Sequence, residues 1–394
     1  MSLPAACIVG VGETAYARRG ALVGEDEVSL AATAIRRAAE DAGLPLWEID
    51  GLASYGNEMR GETAYGAAQL QRQLGLHELR HASYVWTAGG GGACAAVAHA
   101  ADAVKSGRAR QVAVVRALRQ TADARYGRFN PERPFFNSTA PFGAFAPAPL
   151  FALQAQRYLH ETGALESHLG EVAVACRQHA ARNPRALLRE RALTLADHAA
   201  SPYVAEPLRR ADCCLESDGA TAVIVTSRER ARDLAQPLVS IAAAQQSGAG
   251  GYGPGPLGGH GGSAALYARG GQHLLAQRLF AEAGAAPQDV QVAQFYDAFT
   301  SLVLLALEDF GFCERGGAGA FAAAGELRWP HGRLPVNTAG GHLAEAYVHG
   351  MNLIVEAVRQ VRGHSTAQLA DVRLALVASA ASLMPTSALL LARE

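Results

Sequence analysis

The chain contains an internal repeat, and this feature restricts it to folds built from two similar halves. The tetrapeptide TAGG occurs at residues 87–90 and again at 338–341, each time before a helical stretch, a basic segment and an apolar strand. Upstream of the two copies, residues 38–56 and 279–299 both read as a helix ending at Ala-Gly, a short loop and a strand that ends near a tyrosine. Two ordered matches at nearly the same offset predict a duplicated chain.

Short apolar runs alternate with segments of helical length, which predicts an α/β fold with mostly parallel, buried strands. The predicted strands are ACIVGVG, QVAVVRA, TAVIVTS, LVSIAAA, VQVAQFY and RLALVAS. We predict a first half at 1–235, interrupted by an insertion at 117–210, and a second half at 236–394. The Pro- and Phe-rich part of the insertion and the Gly-rich stretch 247–263 are predicted to form the substrate entrance.

Composition excludes several classes of function. The chain has 394 residues, 49% of them hydrophobic, and a formal net charge of −1 without a basic stripe, which argues against nucleic acid as a partner. The sequence has neither a secretory signal nor an uninterrupted apolar run of about 18–20 residues, so we expect a cytoplasmic protein with no membrane association. Six cysteines without CxxC spacing predict reduced thiols and no metal site.

A glycine-rich turn, Gly89 to Gly92, leads into an alanine-rich helix. Such a turn brings backbone N–H groups close to a ligand, and a helix N-terminus favours negative charge. The turn carries no nucleophilic side chain, and Cys94 already lies inside the predicted helix, where a small buried thiol is the simpler interpretation. The turn is therefore predicted to bind an oxyanion without supplying a nucleophile.

Several longer segments resemble the thiolase superfamily over essentially the whole chain. They include IVGVGETAY, ALQAQRYLHETG, SPYVAEPLRRADCCLESDGATAVIVTS, QFYDAFTSLVLLALEDFGFCERG and NTAGGHLAEAYVHGMN. The resemblance is to the branch of sterol-carrier-type thiolases and thiolase-like lipid-transfer-protein aldolases. It implies an α/β thiolase fold, in which two duplicated βαβαβαββ halves form five layers (αβαβα).

The resemblance fails at every catalytic position of a thiolase. The alignment puts Gly90 where the nucleophilic cysteine belongs, Tyr296 in place of the first histidine and Tyr347 in place of the second. The late acid/base cysteine would fall within residues 378–387, which contain none. The thiolase-like aldolases that shorten steroid side chains share this pair of tyrosines, so the resemblance implies their chemistry.

The residues indicate retro-aldol cleavage of a bulky 3-hydroxyacyl-CoA, with Tyr296 and Tyr347 as acid and base. No cofactor is expected, since the CoA thioester is itself the substrate. Asp297 and His342 are candidates for a relay to the tyrosines, and the space left by the missing side chain at Gly90 is predicted to receive substrate. The predicted groups that bind substrate or oxyanion are Gly89, Gly90, Gly91, Gly341 and His349.

Three other functions stay open at this stage. The chain could be a thiolase acting through Cys94, a non-catalytic carrier of lipid or acyl-CoA, or a subunit of an acyltransferase complex. The residues GVGETA satisfy a dinucleotide-binding pattern, but no helix is predicted to open there, so NAD is not expected. The resemblance further implies a homodimer, in complex with a zinc-ribbon/OB-fold accessory protein and linked to a hydratase.

Overall fold

The computed structural model describes residues 6–56, 65–85, 89–120, 140–144, 146–247, 267–379 and 386–394. Most of the predicted substrate entrance lies outside these residues, as does the turn between the last two strands. None of the helices in the described ranges is long and apolar enough to cross a membrane.

The first half alternates strands and helices and then carries the insertion. Its core elements are β1 (Ala6–Glu13), β2 (Ala17–Arg18), α1 (Glu27–Ala42), β3 (Gly51–Tyr55), α2 (Ala67–Leu74), β4 (His81–Val85), α3 (Ala93–Lys105) and β5 (Gln111–Leu118). The insertion and the return strand are α4 (Pro147–Thr162), α5 (Glu166–Ala180), α6 (Leu195–Ala200), β6 (Tyr203–Ala205), β7 (Leu208–Arg209), β8 (Ser217–Ser227) and α7 (Arg228–Ala231). Apart from β2 and the insertion, this order is the βαβαβαββ pattern that the resemblance implies.

The second half repeats this pattern, except that the counterpart of β4 is shortened to a single bridge. Its elements are β9 (Val239–Ser247), α8 (His273–Ala283), β10 (Val292–Phe295), α9 (Thr300–Asp309), α10 (Ala318–Ala323), α11 (Gly341–Ala344), α12 (Met351–Arg362), β11 (Leu374–Ala378) and β12 (Thr386–Arg393). The counterpart of β4 is a single parallel bridge between Ala293 and Val336.

The repeat predicted from the sequence has the same local structure in both halves. Helices α1 and α8 both end at a glycine in the left-handed conformation, Gly43 (φ 66°) and Gly284 (φ 61°), and a 3-10 turn then leads into β3 or β10. Glycine ends a helix in this way because it adopts positive φ without steric cost. The copies of TAGG differ, since the first precedes α3 directly while the second precedes the short helix α11 and a loop before α12.

Ten of the described strands form one mixed sheet in the order β10-β11-β12-β9-β1-β8-β5-β3-β4, with β2 paired to β8 at the side, while β6 and β7 form a separate antiparallel pair. Of the strand pairs in the described ranges, only β3–β4, β3–β5 and β10–β11 are parallel, so the prediction of a mostly parallel sheet is wrong. Continuous apolar runs do not indicate parallel pairing here, because helices cover both faces of this sheet and bury antiparallel strands as completely as parallel ones.

Helices α3 and α12 lie between the two halves of the sheet. Each packs on strands of both halves: α3 on β3, β5, β9 and β12, and α12 on β10, β11, β1 and β8. Helix α1 covers the outer face of the first half, and α8 covers that of the second. This stacking gives the five layers of the predicted fold, which is confirmed. The division of the chain after residue 235 stays a prediction.

Candidate active site

The two tyrosines singled out in the sequence meet at the centre of the molecule. Tyr296 follows the carboxyl end of β10, where its N–H donates to Ala378 O at 3.0 Å, and Tyr347 lies in the loop between α11 and α12. Their hydroxyl oxygens are 2.7 Å apart, and both side chains are buried. Ser217 holds the backbone of Tyr347 in place, since its Oγ accepts from Tyr347 N at 2.8 Å. The arrangement brings two proton-carrying groups into direct hydrogen-bond contact.

Gly90 makes room for the ring of Tyr296. A Cβ atom at position 90 would collide with Cε2, Cζ and the hydroxyl oxygen of Tyr296. Our interpretation that the missing side chain leaves space for the substrate is therefore wrong, because the tyrosine ring itself fills that space. The glycine and the tyrosine form one steric unit, in which the first permits the position of the second.

The N-termini of the two central helices converge on the tyrosine pair. Gly90 opens the 3-10 turn before α3, and Gly350 is the N-cap residue of α12, where a Cβ would lie 3.4 Å from Tyr296 Cδ2. Each helix N-terminus carries a partial positive charge and stabilises nearby anions. The site is therefore suited to hold a phenolate or an enolate.

Two of the predicted glycines can donate to a ligand. The N–H groups of Gly90 and Gly91 have no hydrogen-bond partner within the described residues. By contrast, the N–H groups of the first turn of α3 are engaged: Cys94 N donates to Ser379 Oγ at 3.3 Å and Ala95 N to Ser387 Oγ at 3.0 Å. Gly89, with φ 110°, shapes the turn. Among the described residues, the N–H groups of Gly90 and Gly91 are therefore available to an oxyanion.

Gly341 does not reproduce this arrangement in the second half. A Cβ there would collide with Oδ2 of Asp297, whose carboxylate accepts from His342 N at 2.8 Å and Leu343 N at 3.3 Å. The carboxylate thus takes up N–H groups that an oxyanion would need at this turn, and contact of Gly341 with substrate stays a prediction. Burial raises the pKa of Asp297 to about 6, while these hydrogen bonds oppose the rise. Through these two hydrogen bonds Asp297 caps the N-terminus of α11.

His342 is the predicted relay residue that contacts the tyrosines. Its ring lies edge-to-face with both, at centroid distances of 4.6 Å from Tyr296 and 5.0 Å from Tyr347. The side chain is fully buried, and this burial lowers its pKa to about 3. His342 is consequently neutral at physiological pH and packs against the pair as an uncharged ring.

His349 contacts the other side of Tyr347, with ring centroids 5.2 Å apart. It is one of three described residues other than glycine with positive φ, at 51°, and its carbonyl accepts from Tyr55 at 2.9 Å. Its Nδ1 accepts a hydrogen bond from Arg116 Nε at 3.3 Å. Non-glycine residues with positive φ cluster at functional sites, where the surrounding contacts hold the strain.

Arg116 and Ser217 were not predicted from the sequence. Arg116 is 2% exposed and lies on β5, one of the central strands. Its signal was present, since an arginine interrupts the otherwise apolar run VAVVRAL, and arginine is rarely buried without a specific partner. Ser217 carries no such signal, because serine is common at the start of strands.

Cys94 is unsuited to nucleophilic catalysis. Its thiol is buried, lies 3.6 Å from Val377 O, and has its pKa raised to about 12 by desolvation. A thiolate is needed to form an acyl-enzyme. The geometry therefore argues against a thiolase acting through Cys94. No group of three or more His, Cys, Asp or Glu side chains suited to a metal ion occurs in the described part of the chain.

Comparisons with known proteins first define the class. Residues 271–393 match the family model described as thiolase C-terminal domain-like. The fold superposes on human mitochondrial 3-ketoacyl-CoA thiolase with a TM-score of 0.72 over 99% of both chains, although only 14% of residues are identical. The second match shows the thiolase fold alone.

Relatives that match over their full length specify the branch of thiolase-like proteins. The chain is 42% identical to a steroid side-chain-cleaving aldolase of Thermomonospora curvata, covering 99% of this chain and 98% of the relative. It is 40% identical to the 17-hydroxy-3-oxo-4-pregnene-20-carboxyl-CoA lyase of Mycobacterium tuberculosis, with 98% of both covered. A solved Ltp2-ChsH2(DUF35) aldolase superposes with a TM-score of 0.90 at 41% identity, covering 100% of this chain and 99% of the other. The chain belongs to the thiolase superfamily, in its branch of carbon–carbon lyases of the aldolase type.

Proposed function

We propose that this enzyme cleaves the side chain of a steroid or similarly bulky 3-hydroxyacyl-CoA by a retro-aldol reaction. The products are a ketone or aldehyde and a shorter acyl-CoA. The observation that carries the proposal is the contact between Tyr296 and Tyr347, 2.7 Å apart at two helix N-termini and without a nucleophile at position 90. The relatives that act on steroid side chains and on a pregnene carboxyl-CoA support the substrate class.

In the proposed mechanism, one tyrosine acts as the base and the other as the acid. The base removes the proton of the substrate's 3-hydroxyl group, the bond between the alpha and beta carbons breaks, and its electron pair passes into the thioester as an enolate. The acid then protonates the alpha carbon. A tyrosine with an ordinary pKa of about 10 needs help to ionise near neutrality, and the hydrogen bond donated by the other hydroxyl supplies part of it.

The developing enolate oxygen would be stabilised at the glycine turn. The N–H groups of Gly90 and Gly91 are donors there, and His349 can add an imidazole N–H. Fixed donors of this kind act on charge that appears in the transition state without having to reorient. The N-terminal partial charges of α3 and α12 act in the same sense.

A cavity of about 530 Å³ supports CoA as the carrier of the substrate. Its described lining combines leucines with five arginines and two acids, and one wall is Leu343, next to His342. One acid, Glu216, pairs with Arg19 at 3.4 Å, and the other, Asp197, caps α6. The lining arginines are Arg18, Arg19, Arg177, Arg191 and Arg210. We propose that the phosphate groups of CoA bind here.

Replacing Arg191 and Arg210 together by glutamine is expected to raise KM for a CoA thioester by about 10-fold, since each lost charge-assisted contact weakens phosphate binding. KM for the matching pantetheine thioester, which lacks the nucleotide, should not change. Steady-state kinetics with both substrates measure the difference, and Arg232→Gln, an exposed arginine elsewhere, is the control. An equal rise for both thioesters, or none, would contradict this placement.

We further propose a homodimer that works with an accessory protein. Strand β4 is an edge of the described sheet, and an exposed edge is a template for pairing with a second chain. Tyr84 on this strand is 45% exposed beside a cavity lined by Tyr65 and Leu70. The solved relative is an Ltp2-ChsH2(DUF35) aldolase, which supports an accessory partner; a zinc-ribbon/OB-fold protein, itself linked to a hydratase, fits this role.

The proposed function is tested by mass spectrometry of the products from a 3-hydroxy steroid side-chain CoA thioester, with and without a co-purified partner. A ketone or aldehyde together with a shorter acyl-CoA is the expected result. Thiolysis that depends on free CoA would instead support an acyltransferase. Binding of the thioester without cleavage under both conditions would support a carrier.

A further inference from the structure

We propose that Arg116 is a positioning residue for the tyrosine pair, holding His349 against Tyr347 and favouring, by its fixed charge, the ionised form of the pair. The inference rests on the proposed function, since it concerns how two tyrosines act as acid and base. Arg116 lies on β5 in the first half of the chain, whereas both tyrosines lie in the second half.

Within the described part of the chain, three contacts hold Arg116 in the core. Its Nε donates to His349 Nδ1 at 3.3 Å, and its Nη1 donates to Tyr55 O at 3.0 Å. Its guanidinium carbon lies 5.7 Å from the centre of the Tyr55 ring. Tyr55 also donates to His349 O at 2.9 Å. Arg116 therefore binds the ring of His349, and Tyr55 binds its backbone.

The contact with Arg116 fixes the tautomer of His349. A guanidinium only donates hydrogen bonds, so Nδ1 of His349 must carry a lone pair and the ring proton must reside on Nε2. A positive charge at this distance also disfavours an imidazolium ion. The neutral ring therefore presents an N–H donor, and its strained backbone holds the ring against Tyr347 at 5.2 Å.

The charges around the pair make Arg116 the group that favours a negative charge there. The titratable and charged groups that face the tyrosines or their neighbours come from five elements. His342 is neutral, as shown by its lowered pKa, and His349 is the neutral tautomer. Asp297 lies 3.3 Å from Nδ1 of His342, Glu345 accepts a hydrogen bond from Asn352, and Tyr55 donates to the carbonyl of His349. Among these described groups, Arg116 alone is a cation.

Removing the charge should therefore move the pH dependence of the reaction. In Arg116→Met, ionisation of the pair becomes harder, so the rising limb of kcat against pH is expected to shift upward by about one unit or more. The rate near pH 7 should fall by about 10-fold or more and approach the wild-type rate at alkaline pH. Arg116→Lys, which keeps the charge, should keep the wild-type limb. An Arg116→Met profile that superposes on that of the wild type would overturn the proposal.

A matched control separates this effect from a loss of stability. Arg362 is another buried arginine, 6% exposed on α12, and its Nη1 pairs with Asp41 at 2.7 Å away from the tyrosines. Arg362→Met is expected to lower the melting temperature without shifting the pH profile. A shift of equal size in both variants would assign the effect to general destabilisation and would also overturn the proposal.

A spectroscopic measurement covers the case in which Arg116→Met does not fold. The ultraviolet absorbance of tyrosinate is titrated in the wild-type protein and in Tyr347→Phe, and the difference isolates the pair. The expected result is a tyrosine that ionises below its ordinary pKa of about 10 in the wild type and in Arg116→Lys, and at higher pH in Arg116→Gln. Titration only at or above about 10 would refute the inference even if cleavage occurs. Absence of cleavage by the wild-type protein would instead refute the proposed function.

Discussion

A Gly90→Cys variant is expected to lose cleavage by about 10²–10⁴-fold, the range for losing a general acid or base, and to gain no thiolysis. The added Cβ would collide with the ring of Tyr296. The ring of Tyr296 must then move and lose its hydrogen bond with Tyr347. The backbone cannot move instead, because α3 holds the turn at position 90 and β10 holds the backbone of Tyr296. The new thiol would find tyrosines where a thiolase has histidines, so nothing would activate it.

Both activities should be measured on the same Gly90→Cys preparation, with Gly90→Ala beside it to separate bulk from sulfur chemistry. Cys94→Ala serves as the control, since it changes a buried side chain of the same helix without approaching Tyr296 and should cleave substrate at close to the wild-type rate. Unaltered cleavage in Gly90→Ala would show that Tyr296 does not need this position. Appreciable thiolysis in Gly90→Cys would show that a thiolase site persists.

Tyr296→Phe and Tyr347→Phe are each expected to reduce kcat by about 10²–10⁴-fold while the protein stays folded. Each variant keeps the aromatic ring in its place and removes one of the two hydroxyls that are 2.7 Å apart. Because the two hydroxyls act as a unit, the double variant should lose little more than the worse single variant. Single-turnover cleavage, which excludes product release, is the measurement.

Tyr158→Phe is the matched control for this pair. Tyr158 is also buried, but it lies on α4, where its hydroxyl donates to Glu308 at 2.5 Å and the guanidinium of Arg315 lies over its ring. Its loss should lower thermal stability and leave kcat nearly unchanged. If Tyr296→Phe and Tyr347→Phe cleave as fast as Tyr158→Phe, the tyrosines take no part in proton transfer.

The sequence predicted the fold and much of the site because those features depend on local signals. The repeated helix, glycine and strand pattern predicted β3 and β10, and the long apolar runs predicted six strands of the sheet. The direction in which the strands pair could not be predicted from the sequence. When helices cover both faces of a sheet, a strand has the same apolar run in a parallel and in an antiparallel pair. Strand β12 was missed, although TSALLLAR is apolar, since the repeat drew attention to β11 alone.

Contacts between distant residues could not be read from the chain. The alignment put Gly90 at the position of the thiolase nucleophile and Tyr296 at that of the first histidine, yet only the three-dimensional structure shows that the ring of Tyr296 fills the space beside Gly90. The carboxylate of Asp297 beside Gly341 is a similar case, because no local pattern tells a capped turn from an open oxyanion site. Arg116 left a signal in an apolar strand, but its partner His349 is 233 residues away.

The contact between Gly90 and Tyr296 also restricts the order in which the substitutions at positions 90 and 296 could have occurred during evolution. In a lineage that began with a cysteine at position 90, a tyrosine at 296 had no room to take its present position. The loss of the cysteine therefore had to come first or occur together with the tyrosine, and an intermediate with glycine and histidine would have lacked both the nucleophile and the tyrosine pair. Return is blocked in the same way, since restoring the cysteine first would collide with the tyrosine. Steric epistasis between two residues thus separates the two chemistries of one fold more firmly than either substitution alone.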